Sequence, residues 1–334
     1  MSTASIELGG TEARRPMVLL RLYHGQTRFD FVRRRRWWFG ASALVIVAGL
    51  ASLGVKGLNY SIEFVGGTSW EVSAPGVTPA QAQSVLTPLG FGGATITQLG
   101  SGSNERLNVE AKLAKNSASV TTQEATKVAG VLAALAHTSA SSVSVENVGP
   151  TWGGDITHKA VEALIVFLIV IAAYISIFFE WKMAVAAIVA VAHDILITVG
   201  IYSLLSFLVT PDTVVAFLTV LGYSLYDTIV VFDRIRENLR LSRRESLPDV
   251  VNRSINQTLS RTVLTSGLTF LTVLSLYIFG GPVLNGFSFA LVVGILIGTY
   301  SSIAVAAPML VAWQQWRASK GKAVVLPAAK RAKG

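Results

Sequence analysis

From Thr262 to Trp316 the chain reads TVLTSGLTFLTVLSLYIFGGPVLNGFSFALVVGILIGTYSSIAVAAPMLVAWQQW, without one Asp, Glu, Lys or Arg. Roughly 20 apolar residues cross a bilayer, so this run is too long for one helix. It is read as two, folding back at Gly280-Gly281-Pro282, where a helix is most easily broken. Four more charge-poor runs lie upstream. They are Trp37 to Val55, Ala163 to Phe179 just inside Glu162, Met183 to Val209 interrupted only by His193 and Asp194, and Thr213 to Phe232 interrupted by Asp227. That makes six spans. Composition agrees, because 334 residues with 14% charged side chains and a mean hydropathy of +0.55 belong to an integral membrane protein. The absence of cysteine excludes a disulfide framework, a thiolate metal site and a Cys nucleophile. No cofactor or metal is expected.

Lys and Arg near the span ends set the orientation. Arg33 to Arg36 precede the first span; Arg234, Arg236, Arg240, Arg243, Arg244, Arg253 and Arg261 lie between the fourth and fifth; a basic tail follows the last. These segments are expected in the cytoplasm, and they account for the net charge of +9 without a nucleic-acid partner. Six crossings put both termini on that side. The chain then divides into a basic N-terminal tail (1–36), a first helix (37–58) read as a permanent anchor rather than a cleaved signal, an extracytoplasmic segment (59–157), a five-helix region (158–316) with a basic loop (233–262), and a basic C-terminal tail (317–334).

The external segment has the length of one small domain. Thr68 to Ser73 alternates as a strand, Thr78-Pro79 opens a helix to about Leu89, and Ala94 to Leu99 reads as a strand. Arg106 to Leu113 alternates strictly, Thr121 to Leu135 is an Ala-rich helix, and Ser141 to Val148 alternates again. The expectation is a small α+β domain of order βαββαβ, ferredoxin-like, with one sheet face open to a partner. His137 near a helix end reads as solvated rather than as a ligand. The fold class is therefore an α-helical polytopic membrane protein with six transmembrane helices and one small extracytoplasmic α+β domain.

Charged groups inside a span cost about 3 kcal/mol and commonly line a polar path. Asp227 in the fourth span is the first candidate for proton transfer, and Asp194 in the third is a secondary one that Thr198 could satisfy within its own helix. His193 projects about 100° from Asp194 on a helix, so the two need not be partners. Arg261 opens the fifth span, with Thr265 one turn on along the same face; a snorkelling anchor is the plainer reading of Arg261. Gly294, Gly298, Ser302 and Ala306, four apart, form a small-residue stripe for close helix packing. Pro248 followed by Val250, Val251, Ile255 and Leu259 suggests an amphipathic helix on the inner leaflet or a docking segment.

An ordered series of motifs from about Arg33 to Trp313 resembles the SecD/SecF family of protein-export membrane subunits, within the resistance-nodulation-division superfamily. It comprises Asn59-Tyr-Ser-Ile-Glu-Phe-Val-Gly-Gly-Thr68, Val148-Gly-Pro150, Phe179-Glu-Trp-Lys182 with His193-Asp194, Gly222-Tyr-Ser-Leu-Tyr-Asp-Thr-Ile-Val-Val-Phe-Asp-Arg-Ile-Arg-Glu-Asn238, Gln257-Thr-Leu-Ser-Arg-Thr-Val-Leu-Thr-Ser266 and Gly298-Thr-Tyr-Ser-Ser302. The likeness is to the SecF-type half. Phe178 departs from it, standing where the family usually has Arg. The resemblance implies a bacterial cytoplasmic-membrane protein that pairs with SecD about a pseudo-two-fold axis, joins SecYEG with SecA and YajC in the larger assembly, and helps pull unfolded exported polypeptide outward using the proton gradient. It further implies that Asp227 is the proton-relay carboxylate, with Arg261 and Thr265 its partners. No enzymatic reaction is expected. Rival classes are an intramembrane aspartyl protease using Asp194 and Asp227, a small-molecule exporter, for which one small domain leaves little cavity, and a passive scaffold.

Overall fold

The computed structural model describes residues 27–99, 105–112, 120, 122–242 and 245–320. Both tails beyond those limits, Arg243 and Arg244, Leu113 at the end of an expected strand and Thr121 at the start of an expected helix lie outside the described residues.

Among the described residues six helices are long and apolar enough to cross a membrane, and the chain is a multi-pass membrane protein. They are α1 (Arg35–Lys56), α5 (Pro150–Phe178), α6 (Trp181–Leu205), α7 (Pro211–Leu241), α8 (Leu247–Phe279) and a last crossing made of α9 (Gly281–Ser301), a π-turn (Ser302–Ala306) and α10 (Ala307–Ser319). The turn expected at Gly280-Gly281 is present: Gly281 has φ +75°, a conformation that a side chain would strain. Helix starts are written in capping chemistry. Thr210 accepts from the Thr213 backbone N–H ahead of α7, and Ser246 accepts from that of Asp249 ahead of α8.

Between α1 and α5 come β1 (Asn59–Tyr60), α2 (Ile62–Val65), β2 (Gly67–Ser73), α3 (Pro79–Leu86), β3 (Thr95–Leu99), β4 (Arg106–Lys112), α4 (Thr122–Leu135) and β5 (Ser144–Val148). From β2 onward the order is βαββαβ, and the antiparallel sheet runs β3-β4-β2-β5, the split βαβ arrangement. Alternation along β2 and β4 sends Trp70, Val72, Leu107 and Val109 under the helices against Leu86, Val128 and Leu132. Trp70 is fully buried and its indole N–H donates to the Ala125 carbonyl at 3.0 Å. Glu71 and Arg106 pair at 2.8 Å on the opposite face.

Two joints tie this domain to the helices. β1 pairs in parallel with β6 (Leu208–Val209), Tyr60 opposite Val209, so the exit of α1 is stitched to the loop between α6 and α7. At the start of α5, a methyl group on Gly153 would sit 2.5 Å from the Phe64 carbonyl oxygen, so only glycine lets α5 lie against α2.

The basic segment 233–262 is not a loop or a separate surface helix. α7 continues through Leu241 and α8 starts at Leu247, so most of that segment forms two helix ends. Val251, Ile255 and Leu259 are buried in the bundle core with Phe232 and Ile235, and Val250 is buried as well, which removes the apolar face that a leaflet helix would need. Asn252 and Asn256 on the same turns hold the incoming chain, accepting from the backbone N–H of Phe31 and Phe29 at 2.9 and 2.8 Å.

Candidate functional site

Helices α6, α7 and α9 form the packed centre, while α1, α5 and α8 lie around it with much of their surface uncovered. Glycines set the spacing. A methyl on Gly298 of α9 would meet Ser224 Cβ of α7 at 2.7 Å, and one on Gly49 of α1 would meet the Gly200 backbone of α6 at 2.7 Å. These close approaches bring hydroxyls and carboxylates of different helices within bonding distance.

Asp194, 2% exposed at the middle of α6, receives hydrogen bonds on Oδ2 from Ser224 Oγ at 2.6 Å and Ser301 Oγ at 2.8 Å. His193 Nδ1 lies 2.9 Å from its Oδ1. Adjacent positions on a helix need not pair, but here the two side chains are partners. His193 Nε2 continues to Ser42 Oγ at 2.9 Å, Ser42 to the Tyr300 hydroxyl at 3.0 Å, and Tyr300 donates to the Trp38 carbonyl at 2.8 Å. Thr198 does not serve the carboxylate; its hydroxyl donates to the Asp194 backbone carbonyl at 2.7 Å. A cavity of about 270 Å³ runs from Tyr60 and Phe64 to Asp194, walled by apolar side chains such as Val161, Phe217 and Leu221.

Asp227, also 2% exposed, sits midway along α7. Among the described residues it takes one hydrogen bond, from Ser266 Oγ of α8 at 2.9 Å, and makes no ion pair. Tyr223 adds its hydroxyl to Ser266 at 3.4 Å and to Thr269 at 3.3 Å. Arg261 comes to the neighbouring residue instead of the carboxylate: Nη2 donates to the Tyr226 hydroxyl at 2.6 Å and the guanidinium lies 5.8 Å from the ring centroid. The Thr265 hydroxyl turns back to the carbonyls of Arg261 and Thr262, at 2.9 and 3.1 Å. Asp227 and Arg261 are thus brought close, while Ser266 takes the place expected for Thr265. Arg261 opens onto a cleft of about 500 Å³ that includes Asp233, Arg234, Arg236 and Phe178. Arg236 Nη1 donates to the Phe178 carbonyl at 2.9 Å, a contact indifferent to the side chain at 178.

The two acids have separate partners. Sequence reasoning located both but missed Ser42, Ser224, Ser266, Tyr300 and Ser301, because a lone hydroxyl in an apolar run gives no signal until the neighbouring helix is known.

Residues 127–316 match the family described as protein export membrane protein SecD/SecF, C-terminal, and residues 51–74 match the SecD/SecF GG motif, which contains Gly66 and Gly67 at the entry to β2. The chain is similar to the protein translocase subunits SecF of Escherichia coli O157:H7, 37% identical with 86% of this chain and 88% of that one aligned, and of Streptomyces coelicolor, 39% identical over 94% and 84%. Against that of Koribacter versatilis it is 60% identical over 54% of its own length and 45% of the other. The crystal structure of SecDF from Thermus thermophilus, a translocon-associated membrane protein, superimposes with a TM-score of 0.77 at 39% identity over 87% of this chain. This chain accounts for 39% of the length of that one.

Proposed function

This chain belongs to the SecD/SecF family, and from that premise we propose that it is the SecF-type subunit of a SecDF complex in the bacterial cytoplasmic membrane. It assists Sec-dependent translocation by coupling proton flow to movement of the βαββαβ domain against an unfolded exported polypeptide. SecD is its partner in the membrane; SecYEG, SecA and YajC belong to the wider assembly. Both termini and the arginine-rich helix ends face the cytoplasm, and the α+β domain faces outward.

The observation that carries this reading is Asp227: a carboxylate buried at mid-membrane, with one hydroxyl donor and an arginine held one residue away. A charge there costs about 3 kcal/mol without a partner. Asp227 therefore takes up a proton when Arg261 is held on Tyr226 and releases it when the guanidinium swings to the carboxylate. Ser266 orients the acid, and Thr265 fixes the backbone turn that carries Arg261. One proton crossing about 100 mV supplies about 2.3 kcal/mol, against about 5.5 kcal/mol to invert a 1:99 population. Two or three protons complete one stroke. No bond-breaking reaction is assigned.

The test is Asp227→Asn, which keeps size and hydrogen bonding but cannot titrate. Assembled with SecD and the channel in vesicles, it should lose gradient-stimulated export while its assembly is unchanged. Normal acceleration that an uncoupler still abolishes would overturn the assignment.

A further inference from the structure

The hydrogen-bonded chain on the other side of the bundle can be counted. From Asp194 Oδ1 through His193 Nδ1 and Nε2, Ser42 Oγ and Tyr300 Oη to the Trp38 carbonyl there are four contacts. Each contact needs one proton. Ser42 and Tyr300 bring one each, and the Trp38 carbonyl brings none. The other two protons therefore belong to the His193–Asp194 pair. One is on Nε2, donating to Ser42. The other lies between Nδ1 and Oδ1, where imidazolium facing carboxylate and imidazole facing carboxylic acid are equivalent in the count. Meanwhile Oδ2 is occupied by the hydroxyls of Ser224 and Ser301.

We propose that His193 and Asp194 form a second proton-binding site, and that its occupancy latches α1 to the rest of the bundle. This rests on the reading above that the protein is driven by protons. Release takes the shared proton from Oδ1 into the cavity that leads past Phe64 to the domain end, leaving the pair with one proton and one negative charge. Four contacts then have three protons, and one contact is lost. The chain is repaired at Nδ1 only by moving the remaining proton there, so that a bond between α1 and its neighbours breaks: His193 to Ser42, Ser42 to Tyr300, or Tyr300 to Trp38.

Among the described residues the rest of the α1–α6 seam holds no titratable side chain: Gly49 lies against Gly200, Ser52 bonds Ser203 at 2.9 Å, and Ser203 Oγ donates to the Gly57 carbonyl at 2.9 Å. The groups facing the pair are Ser42 from α1, Ser224 from α7 with Asp227 one turn on, and Tyr300 and Ser301 from α9. α5 contributes Thr157 to the cavity wall. α1 leads through Gly57 into β1 and the small domain, so loosening it frees the domain at its first anchor.

The chain has no native cysteine, which makes the test clean. Arg35 of α1 bonds Gln315 of α10 at the latched end, so Arg35→Cys with Gln315→Cys and a short bis-maleimide report the position of α1 in the full chain in lipid nanodiscs. Crosslinking, normalised at each pH to mono-maleimide labelling of the same two cysteines because the thiolate fraction rises with pH, should fall at least about fivefold from acidic to alkaline pH, the low end of ordinary coupling. Asp194→Asn, whose amide N–H replaces the shared proton, should hold the acidic value at every pH. Ser42→Ala should hold the alkaline value. An unchanged pH profile in Asp194→Asn overturns the proposal. A second measurement needs no change at the site: with His24, His137 and His158 replaced by Gln, the imidazole ¹⁵N spectrum at acidic pH should show protonated Nε2, and an unprotonated Nε2 there overturns it too. Asp227→Asn separates the two readings. It should keep the crosslinking profile whatever it does to export, so either site can fail alone.

Discussion

The surroundings of Asp194 and Asp227 differ although both acids are equally buried at mid-helix. Asp194 has three partners: His193 of its own helix, Ser224 of α7, against which Gly298 lets α9 close up, and Ser301 of α9. Asp227 lies at the edge of the packed centre, has one hydroxyl donor, and faces a helix whose outer surface is bare. Closed packing fixes the hydrogen bonds of the first acid, so its proton is tied to helix position. Open packing leaves acceptor capacity on the second, so an approaching cation or water can change its state without unpacking the core.

That contrast can be broken most directly at Gly200. Gly200→Leu drives a side chain into the Gly49 backbone, which a methyl alone would meet at 2.8 Å, and should separate α1 from α6 and abolish a cooperative thermal transition in detergent. A bulky residue at Gly267 on the open α8, where a methyl meets nothing within 4 Å, should leave the transition in place. Next in size is the pair Asp194→Ala and Asp227→Ala. Interhelical hydrogen bonds in membranes average about 0.6 kcal/mol each, so losing the two to Ser224 and Ser301 should cost about 1.2 kcal/mol at Asp194, against about 0.6 kcal/mol for the one to Ser266 at Asp227. Equal losses by denaturant titration would mean that the two sites are packed alike.

How much of this was legible in the sequence follows the same division. The spans, the fold-back at Gly280-Gly281 and the βαββαβ order could be read because each rests on a local period: charge-free length, a helix breaker, or strict alternation as in Arg106 to Lys112. The two acids could be read because a carboxylate in an apolar run is costly wherever it points. What each acid touches could not. The choice of Ser266 over Thr265, and the His193–Ser42–Tyr300 chain, depend on helix rotation and on which helices the glycines bring together. The basic segment misled for the related reason that Val250, Val251, Ile255 and Leu259 give the same pattern on a leaflet as against a bundle.

Two smaller effects sharpen the picture of the open site. Arg261→Lys keeps the charge but loses the planar fork that bonds the Tyr226 hydroxyl and lies near its ring, so gradient-stimulated export should be reduced and not abolished. Full activity would mean that a point charge is enough.

The smallest effect is expected at Thr265, and comparing it with Ser266 tests which hydroxyl serves the acid. Thr265 Oγ1 donates to backbone carbonyls of its own helix, which remain bonded within α8 without it. Ser266 Oγ donates to Asp227 itself. Removing a donor worth about 0.6 kcal/mol changes an equilibrium by roughly threefold, so Ser266→Ala should lower gradient-stimulated export by about that factor. Thr265→Ala should lower it by less. The assay is export rate in vesicles at a fixed imposed gradient, with assembly verified for both variants. If Thr265→Ala proves the more damaging, the carboxylate exchanges Ser266 for Thr265 during the cycle, and α7 must turn against α8 by the angle that separates those two positions. The open site would then be a moving contact, unlike the closed one, where two hydroxyls and a histidine hold the acid to one register.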